Sequence, residues 1–209
     1  MFTILEDCSP YYIRFTYPAA QKVIDLCNYH LENYKFDHDR FLTFDDETGQ
    51  QILEETQLLP YLDLMKHRVS IFYTNGGYKS PVHKDGRDHR ISINFAVKVL
   101  DDKCTTSWYP DVISPGYSPD LVDLTEKHKV GGVKAAKKID SREFDDFDET
   151  KHKPVKHMCA KQNDVILFNT DIWHRWVNKS NQHRAMLTLR VNNPGTFYFK
   201  DARKALFGK

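Results

Sequence analysis

The chain has 209 residues, a formal net charge of +1, 40% hydrophobic and 28% charged residues, so it is long enough to bury a hydrophobic core without staples. The near-neutral balance lacks the basic excess of a general nucleic-acid or anionic-membrane binder. Cys8, Cys27, Cys104 and Cys159 show neither zinc-finger spacing nor a disulfide framework, MFTILEDCSP has no leader pattern, and no stretch approaches the roughly 18 apolar residues of a membrane span; a soluble cytoplasmic protein is expected.

Residues 18–34 place Ala20, Val23, Ile24, Leu26, Cys27 and Leu31 at roughly helical spacing behind Pro18, which predicts an amphipathic helix. A second helix is predicted from Glu47 to Leu59, stopped by Pro60. From residue 68 the texture changes to short β-branched and aromatic runs between Gly, Pro, Asn and Asp. Strands are predicted at 68–74, 81–84, 90–99, 105–109, 154–159, 164–168, 172–177 and 184–191. Eight such strands suit a mainly β jelly roll, a double-stranded β-helix of the cupin kind. One domain is expected, with residues 1–67 as helical support, 68–192 as jelly-roll core and 193–209 as a tail. Residues 110–153, with separate Pro/Gly, Lys-rich and acidic blocks, read as an insertion, either a solvated loop or a lid.

Two segments carry the chemistry. VHKDG supplies His83 and Asp85, and DIWHRWVNKSNQHRAMLTLRV supplies His174 and Arg184. With ten histidines in the chain, an isolated His-x-Asp arises by chance; placement on strands, in order and followed by an arginine, gives it weight. Residues i and i+2 of an extended segment point the same way, so His83 and Asp85 can reach one metal. Alternation in IWHRWV puts Ile172, His174 and Trp176 on one face. Two imidazoles and a carboxylate form the facial ligand set of non-haem Fe(II) sites. Arg184, on the next strand, can hold a carboxylate in bidentate fashion, with Thr188 and Tyr73 as candidate hydroxyl donors. In RISINFAV, Arg90, Ser92 and Asn94 share a face, which makes Arg90 and Asn94 candidate contacts of a cosubstrate or polar substrate. Trp108, Tyr109 and Trp176 are candidate pocket walls.

FYTNGGYKSPVHKDG and NDVILFNTDIWHRWVNKSNQHRAMLTLRV resemble the two metal-site motifs of Fe(II)- and 2-oxoglutarate-dependent dioxygenases, in the prolyl-hydroxylase and aspartyl/asparaginyl β-hydroxylase style. The resemblance spans roughly residues 68–192. It implies Fe(II) on His83, Asp85 and His174, 2-oxoglutarate and O2 as cosubstrates, decarboxylation to succinate and CO2, and hydroxylation of an amino acid, a peptidyl side chain or another small polar metabolite. The carboxylate of Asp85 favours hydroxylation over halogenation. RAMLTLR, bounded by Arg184 and Arg190, has the two-arginine spacing of nucleic-acid demethylases in the same superfamily, which gives a second reading of the substrate class; a nucleic-acid partner is not otherwise expected. A non-catalytic metal-binding β-sandwich and a zinc hydrolase built on the same His/Asp/His set compete with the dioxygenase reading. Substrate and oligomeric state are left open.

Overall fold

The computed structural model describes residues 1–32, 40–85, 90–110, 133–138, 150–192 and 197–208. In chain order its elements are β1 (Thr3–Cys8), β2 (Tyr12–Thr16), α1 (Ala20–Leu31), β3 (Arg40–Phe44), α2 (Asp46–Thr56), β4 (Ser70–Thr74), β5 (Ile91–Lys98), β6 (Cys104–Trp108), β7 (Val133–Lys138), β8 (Lys156–Cys159), β9 (Val165–Asn169), β10 (His174–Asn178), β11 (Arg184–Arg190) and α3 (Phe199–Phe207). A single 3-10 turn, Lys66–Arg68, leads into β4.

The strands form two antiparallel sheets. The larger runs β1-β2-β9-β5-β11-β4-β3-β7 and the smaller β10-β6-β8. The segment before β5 adds a fourth row to the smaller sheet through bridges Lys79↔Val177 and His83↔His174. Successive core strands therefore switch sheets: β4 large, 79–83 small, β5 large, β6 and β8 small, β9 large, β10 small, β11 large. This is the winding of a double-stranded β-helix, as the strand pattern predicts.

The larger sheet has two buried faces. Ile13, Phe15, Ile71, Ile91, Ile93, Phe95, Leu167, Leu187 and Leu189 pack with apolar residues of α1, α2 and α3 in the main core. The opposite face looks into the sandwich, where Tyr12, Ala96, Ile166, Phe168 and Met186 meet Cys104, Trp108 and Met158 of the smaller sheet. The period-2 alternation of β5 and β11 separates these two environments.

α1 buries Ala20, Val23, Ile24 and Cys27 of the predicted face, while Leu26 and Leu31 pack at its margin, partly buried. α2 starts at the Asp45 cap, whose carboxylate accepts from the Thr48 amide at 2.8 Å. It ends at Thr56 and not at Leu59, because Gln57 turns left-handed (φ 55°) and the Thr56 hydroxyl accepts the Leu58 amide at 3.1 Å.

The helical description of residues 1–67 also needs correction. β1 and β2 extend the larger sheet beyond β9, and β3 adds to β4. The stretch at 193–209 is not merely a tail, since Phe199, Ala202 and Leu206 of α3 enter the main core. Within the insertion at 110–153, β7 pairs with β3; most of the expected loop or lid lies outside the described residues.

Candidate metal centre

Backbone pairing delivers His83 to His174. Gly77 donates to the Asn178 carbonyl at 2.8 Å, Ser80 to the Trp176 carbonyl at 2.9 Å, and His83 and His174 exchange both amide bonds at 2.9 Å. The strand expected at 81–84 is thus a bridge at His83 rather than a regular strand. Gly76 opens this segment at a place only glycine fits, for a Cβ there would lie 2.5 Å from the Ser180 carbonyl oxygen. The Asp85 amide donates to the Thr170 carbonyl at 3.1 Å, tying the end of the motif to the turn before β10.

One ligand atom from each of His83, Asp85 and His174 lies within 4.8 Å of the others, close enough for one ion. Each histidine is oriented through its Nδ1. His83 sets it 3.0 Å from the Pro81 carbonyl and His174 2.8 Å from the Ile172 carbonyl. A carbonyl only accepts, so both Nδ1 atoms carry the proton and both Nε2 lone pairs are free to bind metal. Burial pushes both imidazoles below their ordinary range, for His83 with help from Arg190 and for His174, far more strongly, with help from His83. They are neutral at pH 7, as a metal ligand must be. Lys84, between the ligands, turns away and sits over the Trp173 ring at 5.6 Å.

Beside the ligands, β11 presents Arg184, Met186, Thr188 and Arg190 on the sandwich face. Their neighbours on β5 and β4 include Ser92, Asn94, Ala96, Phe72 and Thr74. Arg190 pairs with the Asp85 carboxylate. Arg184 is 6% exposed, and its guanidinium lies 4.9 Å from the Trp176 ring, which also stacks on Tyr78 at 4.7 Å. Burial lowers Arg184 to about 10, so it stays charged. Its Nε, the hydroxyl of Thr74 and the amide oxygen of Asn94 are buried without hydrogen-bond partners. Native interiors rarely leave such groups unsatisfied. Together they mark the sandwich face of β4, β5 and β11 as a place that suits a polar, anionic ligand.

The remaining candidates divide. Thr188 lies on the same face and is buried, and Asn94 is its partner across β5. Tyr73 is not brought there: it faces the helices within the main core, and its hydroxyl is 2.5 Å from His183 Nδ1. Tyr73 pairs with Ala185 and not with Arg184, so strand parity puts it on the other side. Arg90 precedes β5 and leaves that strand's alternation. Its guanidinium lies 5.3 Å from the Tyr198 ring, lining a separate hollow of about 310 Å³ with Asn169, Asp171 and Lys200. Trp108 and Tyr109 are buried, Trp108 opposite His174 itself. Two residues of the site have no assigned role in the sequence: Arg190, visible there only as half of a two-arginine pattern, and Thr74. The parity of RAMLTLR, which aligns Arg190 with Arg184 and Thr188, is the signal that points to the first.

No protein-family model matches the chain, and neither does any curated protein. Solved structures resemble it. The non-haem α-ketoglutarate-dependent carbocyclase SnoK of nogalamycin biosynthesis shares 12% identity at a TM-score of 0.48, covering 88% of this chain and 83% of that one. A prolyl 4-hydroxylase from Phytophthora capsici shares 15% at 0.48, covering 88% of this chain and 59% of its own. The epimerase SnoN, solved with Fe3+, α-ketoglutarate and a nogalamycin, shares 9% at 0.49, covering 89% and 82%. Likenesses this distant assign neither family nor activity. The double-stranded β-helix stands on the strand order described above.

Proposed function

We propose that the protein is an Fe(II)- and 2-oxoglutarate-dependent dioxygenase that hydroxylates an amino acid, a peptidyl side chain or another small polar metabolite. The observation that carries this reading is the pairing of two features: three converging ligands with both histidines neutral, and a buried arginine on the adjoining strand face whose Nε has no hydrogen-bond partner. A bare metal-binding module or a zinc hydrolase needs the first and has no use for the second.

His83, Asp85 and His174 would hold the iron, which would also bind cosubstrate and oxygen. Iron so held would supply oxygen activation coupled to decarboxylation of 2-oxoglutarate. Arg184 would take the distal carboxylate through its planar donors, while Trp176 fixes the guanidinium plane and Thr74 and Thr188 offer hydroxyl donors beside it. Asn94 is placed to bind a polar group of cosubstrate or substrate. Arg190, paired with Asp85, holds that carboxylate in place. The apolar lining from Phe168, Trp108 and Met186 keeps water from the inner side of the site.

The test is an anaerobic titration of Fe(II) and 2-oxoglutarate, following the visible charge-transfer absorption of the chelate. Asp85→Ala is expected to abolish the band, and Arg184→Ala to demand a higher 2-oxoglutarate concentration for it. A metal-loaded wild type with no band would move the assignment to a zinc enzyme or a non-catalytic module.

A further inference from the structure

A continuous file of aromatic rings leads away from the candidate metal centre. His174 lies directly opposite Trp108 in the β10–β6 ladder. The Phe168 ring bridges them, with its centroid 5.0 Å from His174 and 5.0 Å from Trp108. Trp108 stacks on Tyr12 at 5.2 Å with the planes 17° apart. The Tyr12 hydroxyl donates to Glu6 Oε1 at 2.7 Å, and the Glu6 side chain is 35% exposed. Trp108 and Tyr12 are almost wholly buried, and among the described residues the file reaches exposed surface at its Glu6 end.

We propose that Trp108 and Tyr12 form a one-electron relay that carries oxidising equivalents from the metal centre to the Glu6 edge of the larger sheet. The inference rests on the iron reading of the site. Iron held there would supply, when oxygen is activated without a substrate in place, a strong one-electron oxidant among oxidisable side chains, and would take up the electron that Trp108 loses. Trp108, the first ring of low oxidation potential in the file, gives up one electron and becomes a radical cation. Tyr12 then returns an electron to Trp108 and passes its phenolic proton to Glu6, leaving a neutral tyrosyl radical. A small soluble thiol or enediol reductant restores Tyr12 with one electron while Glu6 returns the proton; the proton released by the oxidised reductant goes to solvent.

The surroundings of Tyr12 suit this coupled step. Burial, together with hydrogen bonds to Cys8 and Glu6, raises the phenol far above its ordinary range, so electron loss requires simultaneous proton loss. Burial also works to raise Glu6, but the bonds from Tyr12 and Cys8 and the charges of Arg14 and Lys156 outweigh it and hold Glu6 below its ordinary value. Glu6 is therefore an ionised acceptor at neutral pH. Packing alone accounts for the aromatic stack but predicts no redox traffic along it.

The experiment compares wild type with Tyr12→Phe, which keeps the ring and its stack on Trp108, and with Trp108→Phe. Each protein, loaded with Fe(II) and 2-oxoglutarate, is first checked anaerobically for the chelate band. It is then mixed with oxygen in the absence of substrate. Rapid-freeze electron paramagnetic resonance and peptide mapping by mass spectrometry follow. The wild type is expected to give a tyrosyl signal that Tyr12→Phe removes, and Tyr12→Phe to accumulate severalfold more covalent oxidation at Trp108, Phe168 and His174. Trp108→Phe is expected to lose the tyrosyl signal as well, and a normal band with no aromatic radical in wild type and equal oxidation in all three proteins overturns the relay alone. A missing band in wild type overturns the relay together with the iron reading.

Discussion

Replacing Arg190 by Met separates the roles of charge and metal at this site. In the metal-free protein Arg190 is the cation beside Asp85, and the two side chains are only 14% and 13% exposed. Removing one partner of a buried pair typically costs about 3–5 kcal/mol, because the other charge is left without compensation. Residual water access at both side chains brings this site to or below the bottom of that range, about 2–3 kcal/mol. For a chain of this size each kcal/mol moves Tm by about 2–4 °C, so Arg190→Met should melt about 5–10 °C below wild type without metal. A bound dication supplies the missing positive charge to Asp85. Saturating Mn(II) or Zn(II), followed by differential scanning fluorimetry, should therefore raise the Tm of Arg190→Met by more than that of wild type, closing most of the gap. The reasoning fails if the metal-free variant melts with wild type, or if both gain the same increment.

Three further outcomes follow from the same geometry. The metal-free protein should lose stability as pH falls below about 6.5: the unfolded histidines take up protons there, while His83 and His174, lowered by burial, do not. The unfolded state then binds more protons, and the slope is at most about 1.4 kcal/mol per pH unit for each histidine; urea titrations at several pH values that show no such slope would contradict the burial argument. Gly76→Ala forces a Cβ to within 2.5 Å of the Ser180 carbonyl and 2.8 Å of Asn181 Cα, and should cost about 1–3 kcal/mol in chemical denaturation; a loss under about 0.5 kcal/mol, the scale of surface substitutions, would show that the segment gives way freely. Arg184→Lys keeps the charge but loses the planar, forked donors and the guanidinium contact with the Trp176 ring, so the anaerobic chelate titration should need severalfold more 2-oxoglutarate, and an unchanged midpoint would remove Arg184 from the carboxylate site.

Much of this arrangement is legible in the sequence because it is written in local periodicity. RISINF and LTLR alternate polar and apolar residues, and the strands that contain them are long and central, with one face in each core. The order of motif, insertion and second motif places His83, Asp85 and His174 on segments that the sheet then joins. What stays hidden depends on pairings distant in sequence. β1 carries Glu6 and Asp7 in its middle and reads as a polar stretch; it becomes a strand because β2 offers it an edge. Tyr73 lies on the face opposite to the expected one because its register against Ala185 is decided by the partner strand, not by its own neighbours. Arg190 lies far from Asp85 in sequence, and a salt bridge leaves no local pattern.

The two faces of the larger sheet explain how a site with so many unsatisfied polar groups is tolerated. The buried Arg184 Nε, Thr74 hydroxyl and Asn94 amide oxygen each oppose folding, since a desolvated polar group without a partner costs about 1–3 kcal/mol. The opposite face of the same strands offsets that cost, because Ile71, Ile93, Phe95, Leu187 and Leu189 are completely or almost completely buried against the helices. Fully burying such side chains contributes about 1.5–3 kcal/mol apiece. Alternation therefore assigns stability to odd positions of β11 and chemistry to even ones: Ala185, Leu187 and Leu189 hold the sheet, while Arg184, Thr188 and Arg190 equip it. A substitution at one parity should move Tm and leave ligand binding intact, and a substitution at the other should do the reverse unless, as with Arg190, it also leaves a buried charge alone.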